Sequence, residues 1–228
     1  MKQETLWGYD DDNGPDVWAD LRPEYRCCGF GKHQSPIDIV DPTHTRLPPI
    51  TFTYQSVPLN IRNTGRTIEV VYPEGSWIQV GGTTYRLLQF HFHTPSEHTV
   101  DGKFAELELH LVHESADGTL AVIGVLIESG ATNAAFAPFW DLMPAVSGES
   151  VQIEEVVLNA YDLLPEAKHT YRYIGSLTTP PCSEGVKWLV LTTPIQLSPA
   201  QIAAFRAIFN RNNRPVQPLN ARELLTDK

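Results

Sequence analysis

With 228 residues, 42% of them hydrophobic and a formal net charge of -10, the chain is long enough to bury one sizeable core and suits a single domain. Its acidity, without a Lys/Arg cluster, argues against nucleic acid or an anionic membrane as partner, because phosphate contacts need a basic footprint. The longest apolar run, residues 120–127, is too short to cross a bilayer and reads as a strand buried on both faces, which leaves a small molecule as the expected partner.

Residues 1–36 are rich in Trp, Tyr, Asp, Gly and Pro without a period and read as an irregular arm on the domain formed by residues 1–228. Met1-Lys2-Gln3-Glu4 opens a polar segment with no apolar core of a signal peptide, consistent with a mature exported form or with a cytosolic chain. The acidic run Asp10-Asp11-Asp12 reads as solvated. Of the three cysteines, Cys27, Cys28 and Cys182, none has metal-ligand spacing, and a single bridge leaves one over. Alternating stretches such as 59–62, 68–71 and 77–80 are separated by Gly, Asn and Pro, the pattern of antiparallel strands. Further on, the sequence predicts a short helix over 134–143 interrupted at Pro138, and strands over 151–157 and 171–174. Ser198-Pro199-Ala200-Gln201 predicts a capped helix start, followed by an apolar stripe of Ile202, Phe205, Ile208 and Phe209.

Between residues 89 and 113 the chain carries five of its eight histidines. On a strand, side chains alternate between faces, so Gln89, His91 and His93 share one face and Phe90 and Phe92 the other. The second half repeats this, with Glu108, His110 and Val112 opposite Leu107, Leu109 and Leu111. Asp101-Gly102 between them is a hairpin signal and predicts neighbouring antiparallel strands. Three imidazoles would then converge with no cysteine nearby, which suits an open zinc site rather than a closed thiolate-rich one. Gln89 and Glu108, each two residues from a histidine on its own face, are placed to fix the tautomers of His91 and His110. His98 and His113 read as ordinary hydrogen-bonded imidazoles.

QFHFH, SEHTVDGK, ELHLVH and SLTTPP, together with HQSPIDI near the start and NNRPVQPL near the end, occur in this order along nearly the whole chain. In these motifs the sequence resembles the alpha-class carbonic anhydrases of the bacterial, secreted kind. The resemblance implies a mainly β (α+β) single domain: a large, twisted, mostly antiparallel ten-stranded sheet with a few short peripheral helices. It implies a zinc lyase that hydrates CO2 reversibly to bicarbonate and a proton by attack of a zinc-held hydroxide, with His91, His93 and His110 as ligands. Thr178 and Glu97 would orient that hydroxide, and Asn212 would serve His93. Val112, Val122, Leu177 and Trp188 would line the CO2 pocket, Thr179 would hold bicarbonate, and Tyr9 would anchor a water network at the rim. A Cys28–Cys182 disulfide and a periplasmic or secreted location follow from the same resemblance, as does binding of sulfonamide inhibitors. A homodimer stays open.

One position departs from the family. Where its fast members carry a proton-passing histidine, this chain has Arg66, which does not release its proton near neutral pH. Glu69 likewise replaces a neutral residue, so rapid turnover is not implied while the hydration chemistry is. Two other classes stand beside the lyase: a zinc hydrolase acting mainly on esters, and a non-catalytic binding module, against which the full set of histidines argues.

Overall fold

The computed structural model describes residues 7–228. Its strands, in chain order, are β1 (Asp38–Ile39), β2 (Thr43–His44), β3 (Ile50–Thr53), β4 (Val57–Asn63), β5 (Ile68–Val71), β6 (Trp77–Val80), β7 (Thr83–His93) and β8 (Thr99–Val100). They continue with β9 (Lys103–Phe104), β10 (Leu107–Ser115), β11 (Leu120–Ser129), β12 (Ser150–Leu158), β13 (Thr170–Ser176), β14 (Glu184–Leu191), β15 (Ile195–Leu197) and β16 (Leu225–Thr226). The helices α1 (Trp18–Leu21), α2 (Cys27–Phe30), α3 (Ala137–Trp140) and α4 (Pro199–Arg206) are all short.

Ten strands follow one path across the main sheet, β12-β4-β5-β7-β10-β11-β14-β13-β16-β2, with β3, β6 and β15 attached beside it. Most ladders are antiparallel, as expected, but β11 pairs in parallel with β14 and β15, and β16 with β2, so the sheet is mixed. At its centre β7 and β10 are neighbours, and the periodicity of their sequences decides which way each residue looks. Phe90, Phe92, Leu109 and Leu111 enter a core completed by Ile61, Ile123, Phe139 and Phe205. Phe92 alone meets the rings of Phe136, Phe139, Trp140 and Phe205 at centroid distances of 6.1, 6.5, 5.1 and 5.9 Å. Burial of a side chain of this size contributes about 2–3 kcal/mol. β11 is covered on both sides over most of its length, in line with its unbroken apolar run.

Several local expectations need correction. Asp101-Gly102 has the positive φ values its composition suggests, 49° and 73°, but the turn closes the small β8–β9 hairpin rather than joining β7 to β10. Pro138 does not interrupt a helix; it occupies the first turn of α3, where its missing N–H costs nothing, and α3 stops at Trp140. Ser198 and Gln201 form the expected capping box, yet α4 ends at Arg206, so Ile208 and Phe209 pack against the core from beyond the helix. The chain leaves the helix there to deliver Asn212, whose N–H donates to Thr94 O at 3.0 Å. The N-terminal arm is not irregular throughout: α1, a 3-10 turn and α2 succeed one another around buried Trp18, each too short to display a helical period in sequence.

Candidate active site

The β7–β10 register places Glu108 opposite His93 and His110 opposite His91, so the three imidazoles rise from adjacent strands on the face away from the core. Ring centroids lie 5.0 Å apart for His91 and His93, 5.3 Å for His91 and His110, and 4.7 Å for His93 and His110. One nitrogen of each lies within 4.8 Å of the others. The opposite side of each ring is held. His91 Nδ1 meets Gln89 Oε1 at 2.8 Å, and His93 Nδ1 meets the Asn212 carbonyl at 2.7 Å. His110 Nε2 is 2.9 Å from Glu108 Oε1, though out of line for a regular hydrogen bond. The contact to His93 comes from the backbone of Asn212, while its side chain accepts from Thr94 N–H at 2.7 Å and so fixes the carbonyl's position.

Burial lowers the pKa of His91 well below the imidazole value, aided by His93 and His110, brings His93 down to about 4 and lowers His110. All three rings are therefore neutral at neutral pH, the form that can ligate a metal. His93 Nε2 is buried and has no hydrogen-bond partner, an arrangement that costs free energy unless something accepts its lone pair. Nitrogen donors in this number fit a cation that keeps one coordination position open. A second cluster, His98, Glu108 and His110, also converges, but its carboxylate is already engaged. Glu108 accepts from Glu97 N and His98 N at 2.8 Å each and pairs with His98 Nδ1 at 2.7 Å. Burial would raise the Glu108 pKa, but His98 and His110 outweigh it and hold the carboxylate well below its usual range.

Glu97 and Thr178 lie beside the histidines and are buried. Glu97 Oε1 accepts the Arg214 N–H at 2.8 Å. Burial pushes the Glu97 carboxyl up to about 7, against the pull of His110, of the hydrogen bond from the Thr178 side chain and of the Arg214 N–H. Val112, Val122 and Trp188 stand in register on β10, β11 and β14, and Leu177 packs on the same apolar cluster. A cavity of about 210 Å³ opens over His91 and His93, walled by Gln89, Thr179, Glu69, Arg66, Trp7 and Tyr9. Tyr9 combines a place on this wall with edge contacts to Trp7 and Trp18. Glu69 is paired with Arg62, whose Nε donates to it at 2.8 Å.

Several contributors were not visible from sequence. His98, read as ordinary, instead joins Glu108 to Tyr173, its Nε2 lying 2.7 Å from the Tyr173 hydroxyl, which is 2.8 Å from Ser35 Oγ. Gly175 makes this chain of bonds fit, since a Cβ there would come within 2.1 Å of Ser35 Oγ. Arg214 is buried, and its guanidinium donates to Gln34 Oε1, Ser35 O and Cys28 O at 2.9, 2.7 and 2.6 Å. The disulfide links Cys28 to Cys182, and Cys182 N–H donates to Thr179 O at 2.8 Å, so the bridge and Arg214 both brace the turn that carries Thr178. Cys27 remains a free thiol. The bridge is the one the family resemblance implied, whereas the only sequence trace of the Arg214 brace is the pair of motifs around Gln34 and Arg214, whose spacing gives no hint that they meet.

Comparison with known proteins agrees with this arrangement. The family model described as eukaryotic-type carbonic anhydrase matches residues 13–228. A carbonic anhydrase of Nostoc sp. is 45% identical over 221 residues, which are 95% of this chain and 84% of that protein. One from Neisseria gonorrhoeae is 44% identical over 223 residues, 97% of this chain and 88% of its own. The alpha-carbonic anhydrase of Thermovibrio ammonificans, solved with the inhibitor sulfanilamide, superposes with a TM-score of 0.93 at 44% identity, covering 96% of this chain and 98% of its own. With the histidine cluster on the central strands, these likenesses establish that the chain belongs to the alpha carbonic anhydrase family and is a carbonate dehydratase, the lyase that interconverts CO2 and bicarbonate.

Proposed function

We propose that this chain hydrates CO2 at one zinc ion held by His91, His93 and His110, using Nε2 of the first two and Nδ1 of the third. The observation that carries the reading is the buried, unpartnered Nε2 of His93 in a group where one ring nitrogen of each histidine lies within 4.8 Å of the others. When bound, zinc supplies Lewis acidity that brings the pKa of a water ligand to about 7, a value for which carbonic anhydrase is itself the reference case.

The chain's own residues aim the reaction. Glu97, kept ionised by the positive charge that a bound cation would bring beside it, would accept the Thr178 hydroxyl proton, which leaves Thr178 Oγ only its lone pairs to offer the attacking water and so fixes where that water's own lone pair points. Gln89, Asn212 and Glu108 orient the three rings. Val112, Val122, Leu177 and Trp188 give CO2, which is neutral and apolar, a wall that competes with neither water nor charge, and Thr179 holds the product. Arg66 cannot pass the released proton outward, and Glu69 is engaged by Arg62, so the proton goes to an external base. Sulfonamides would bind as anions at the open metal position and donate to Thr178. The Cys28–Cys182 bridge and the bacterial relatives support an oxidising, extracytoplasmic compartment, here periplasmic or secreted.

The test is metal removal and return. Chelation should abolish CO2 hydration, one equivalent of zinc should restore it, and X-ray absorption should give a shell of three imidazole nitrogens. Full hydration by zinc-free protein, or a shell containing sulfur, would overturn the assignment.

A further inference from the structure

The arginines differ in what holds them. Arg62 pairs with Glu69, Arg86 with Glu74 and Arg206 with Glu106, while Arg214 and Arg222 are spread over backbone carbonyls. Arg66 has no carboxylate among the described residues. Its Nε donates to Trp7 O at 2.9 Å, and its guanidinium carbon lies over the Trp7 ring, 4.1 Å from the centroid. One bond and one stack fix the plane of the group and leave the Nη edge without a hydrogen-bond partner among the described residues. Burial lowers its pKa, opposed by Tyr9 and Tyr25, but a guanidinium keeps its charge throughout the neutral range.

Its position matters as much as its state. Arg66 lines both the 210 Å³ cavity over His91 and His93 and a larger one of about 790 Å³ outside it. Asp10 and Asp11 line the outer cavity, whereas the acid on the inner wall, Glu69, is already neutralised by Arg62. A preorganised cation whose outer edge meets no described residue therefore stands where the two cavities join, on the wall of the one over His91 and His93.

We propose that the Nη edge of Arg66 is an oxyanion site that recruits an anionic proton acceptor to the cavity mouth, with inorganic phosphate as the probe. Planar, charge-assisted donation to an oxyanion is what a fixed guanidinium does best. The proposal rests on the hydration reading for its purpose: CO2 and water give bicarbonate and one proton, and HPO4(2-) takes that proton to become H2PO4(-). The product carries half the charge, is held less strongly by one cation, and leaves. Arg66 thus replaces a built-in relay with a docking point for a mobile one.

Two readouts test this on the zinc-loaded protein. Calorimetry and tryptophan emission, to which the stacked Trp7 contributes, should show saturable phosphate binding that sulfate competes for and imidazole does not. Arg66→Gln should weaken it at least about tenfold, the loss of a charge-assisted contact, Arg66→Lys should keep part of it, and Arg86→Gln, an equal change in net charge, should leave it intact. Anion binding at the metal is common to all these proteins and cancels in the difference. In turnover at fixed ionic strength, kcat should climb more steeply with phosphate than with imidazole, and Arg66→Gln should remove that preference. Equal phosphate affinity in the parent and Arg66→Gln, or equal buffer response in the parent, would overturn the site. If no buffer supports hydration, the zinc reading fails instead, and the binding measurements alone decide on Arg66.

Discussion

Strand β10 and the last residues of β7 have one side against hydrocarbon and the other against a polar network. Phe90, Phe92, Leu109 and Leu111 are 0% exposed on the first, while His93, Glu108 and His110 are at most 1% exposed on the second. On the apolar face the requirement is volume, and neighbours are interchangeable within limits of packing. On the polar face each nitrogen and oxygen needs a particular partner, supplied by Gln89, Asn212, His98 or the backbone of residues 97 and 98. Equal burial thus hides opposite demands: the first face holds the sheet together, and the second spends its burial on holding neutral imidazoles in place.

Substitutions should separate the two. On the polar side, Thr178→Val keeps shape but removes the hydroxyl proposed to link Glu97 to the reacting water; CO2 hydration should fall by about 10²-fold or more, with zinc content and melting temperature near those of the parent. A loss of less than a few-fold would mean that Thr178 is a bystander. On the apolar side, Phe92→Ala should destabilise by about 3–5 kcal/mol in denaturant titrations, while the folded fraction keeps its zinc and its rate. A rate that collapses in fully folded Phe92→Ala protein would show that the faces are coupled more tightly than their contacts indicate.

Much of this contrast was legible in the sequence because alternation alone assigns residues to faces. The histidine triplet, Gln89 and Glu108 emerged that way. Asn212 and the Thr178–Glu97 pair were available only through family resemblance, since they join the site from loops that no period describes. Hidden were the roles of His98, Tyr173, Ser35 and Arg214, whose bonds span up to 186 residues of chain. The Asp101-Gly102 turn illustrates the limit: its local chemistry was right, but which strands it joined depended on a small separate sheet. The short helices of the N-terminal arm were missed because four residues cannot show a period of 3.6.

The disulfide offers a further comparison, since it braces the polar side from outside. It closes a separation of 154 residues, and removing it by Cys28→Ser with Cys182→Ser should destabilise by about 2–5 kcal/mol. Hydration at room temperature should change much less, because neither sulfur reaches the histidines. An activity loss matching that of Thr178→Val in folded protein would place the bridge within the chemistry.

An effect confined to acidic pH concerns His113, a buried imidazole outside the site, 2.7 Å from the Tyr54 hydroxyl through Nε2. Burial brings its pKa down to about 3, whereas the unfolded chain takes up the same proton near 6.5. Between these values the unfolded state binds more protons, so stability rises with pH across the window and is lost as pH falls. The contribution is about 1.4 kcal/mol per pH unit. In His113→Gln the pH slope of stability between about 6 and 4.5 should be shallower by that amount; an unchanged slope would show that His113 gains its proton in the folded state too.

The central claim is that His91, His93 and His110 together hold the metal on which CO2 hydration depends. It is tested most directly by measuring zinc per chain and CO2 hydration side by side in the parent and in His93→Ala. One zinc and full activity in the parent, with both lost in folded His93→Ala, is the expected result. Stoichiometric zinc and undiminished hydration in His93→Ala would contradict it.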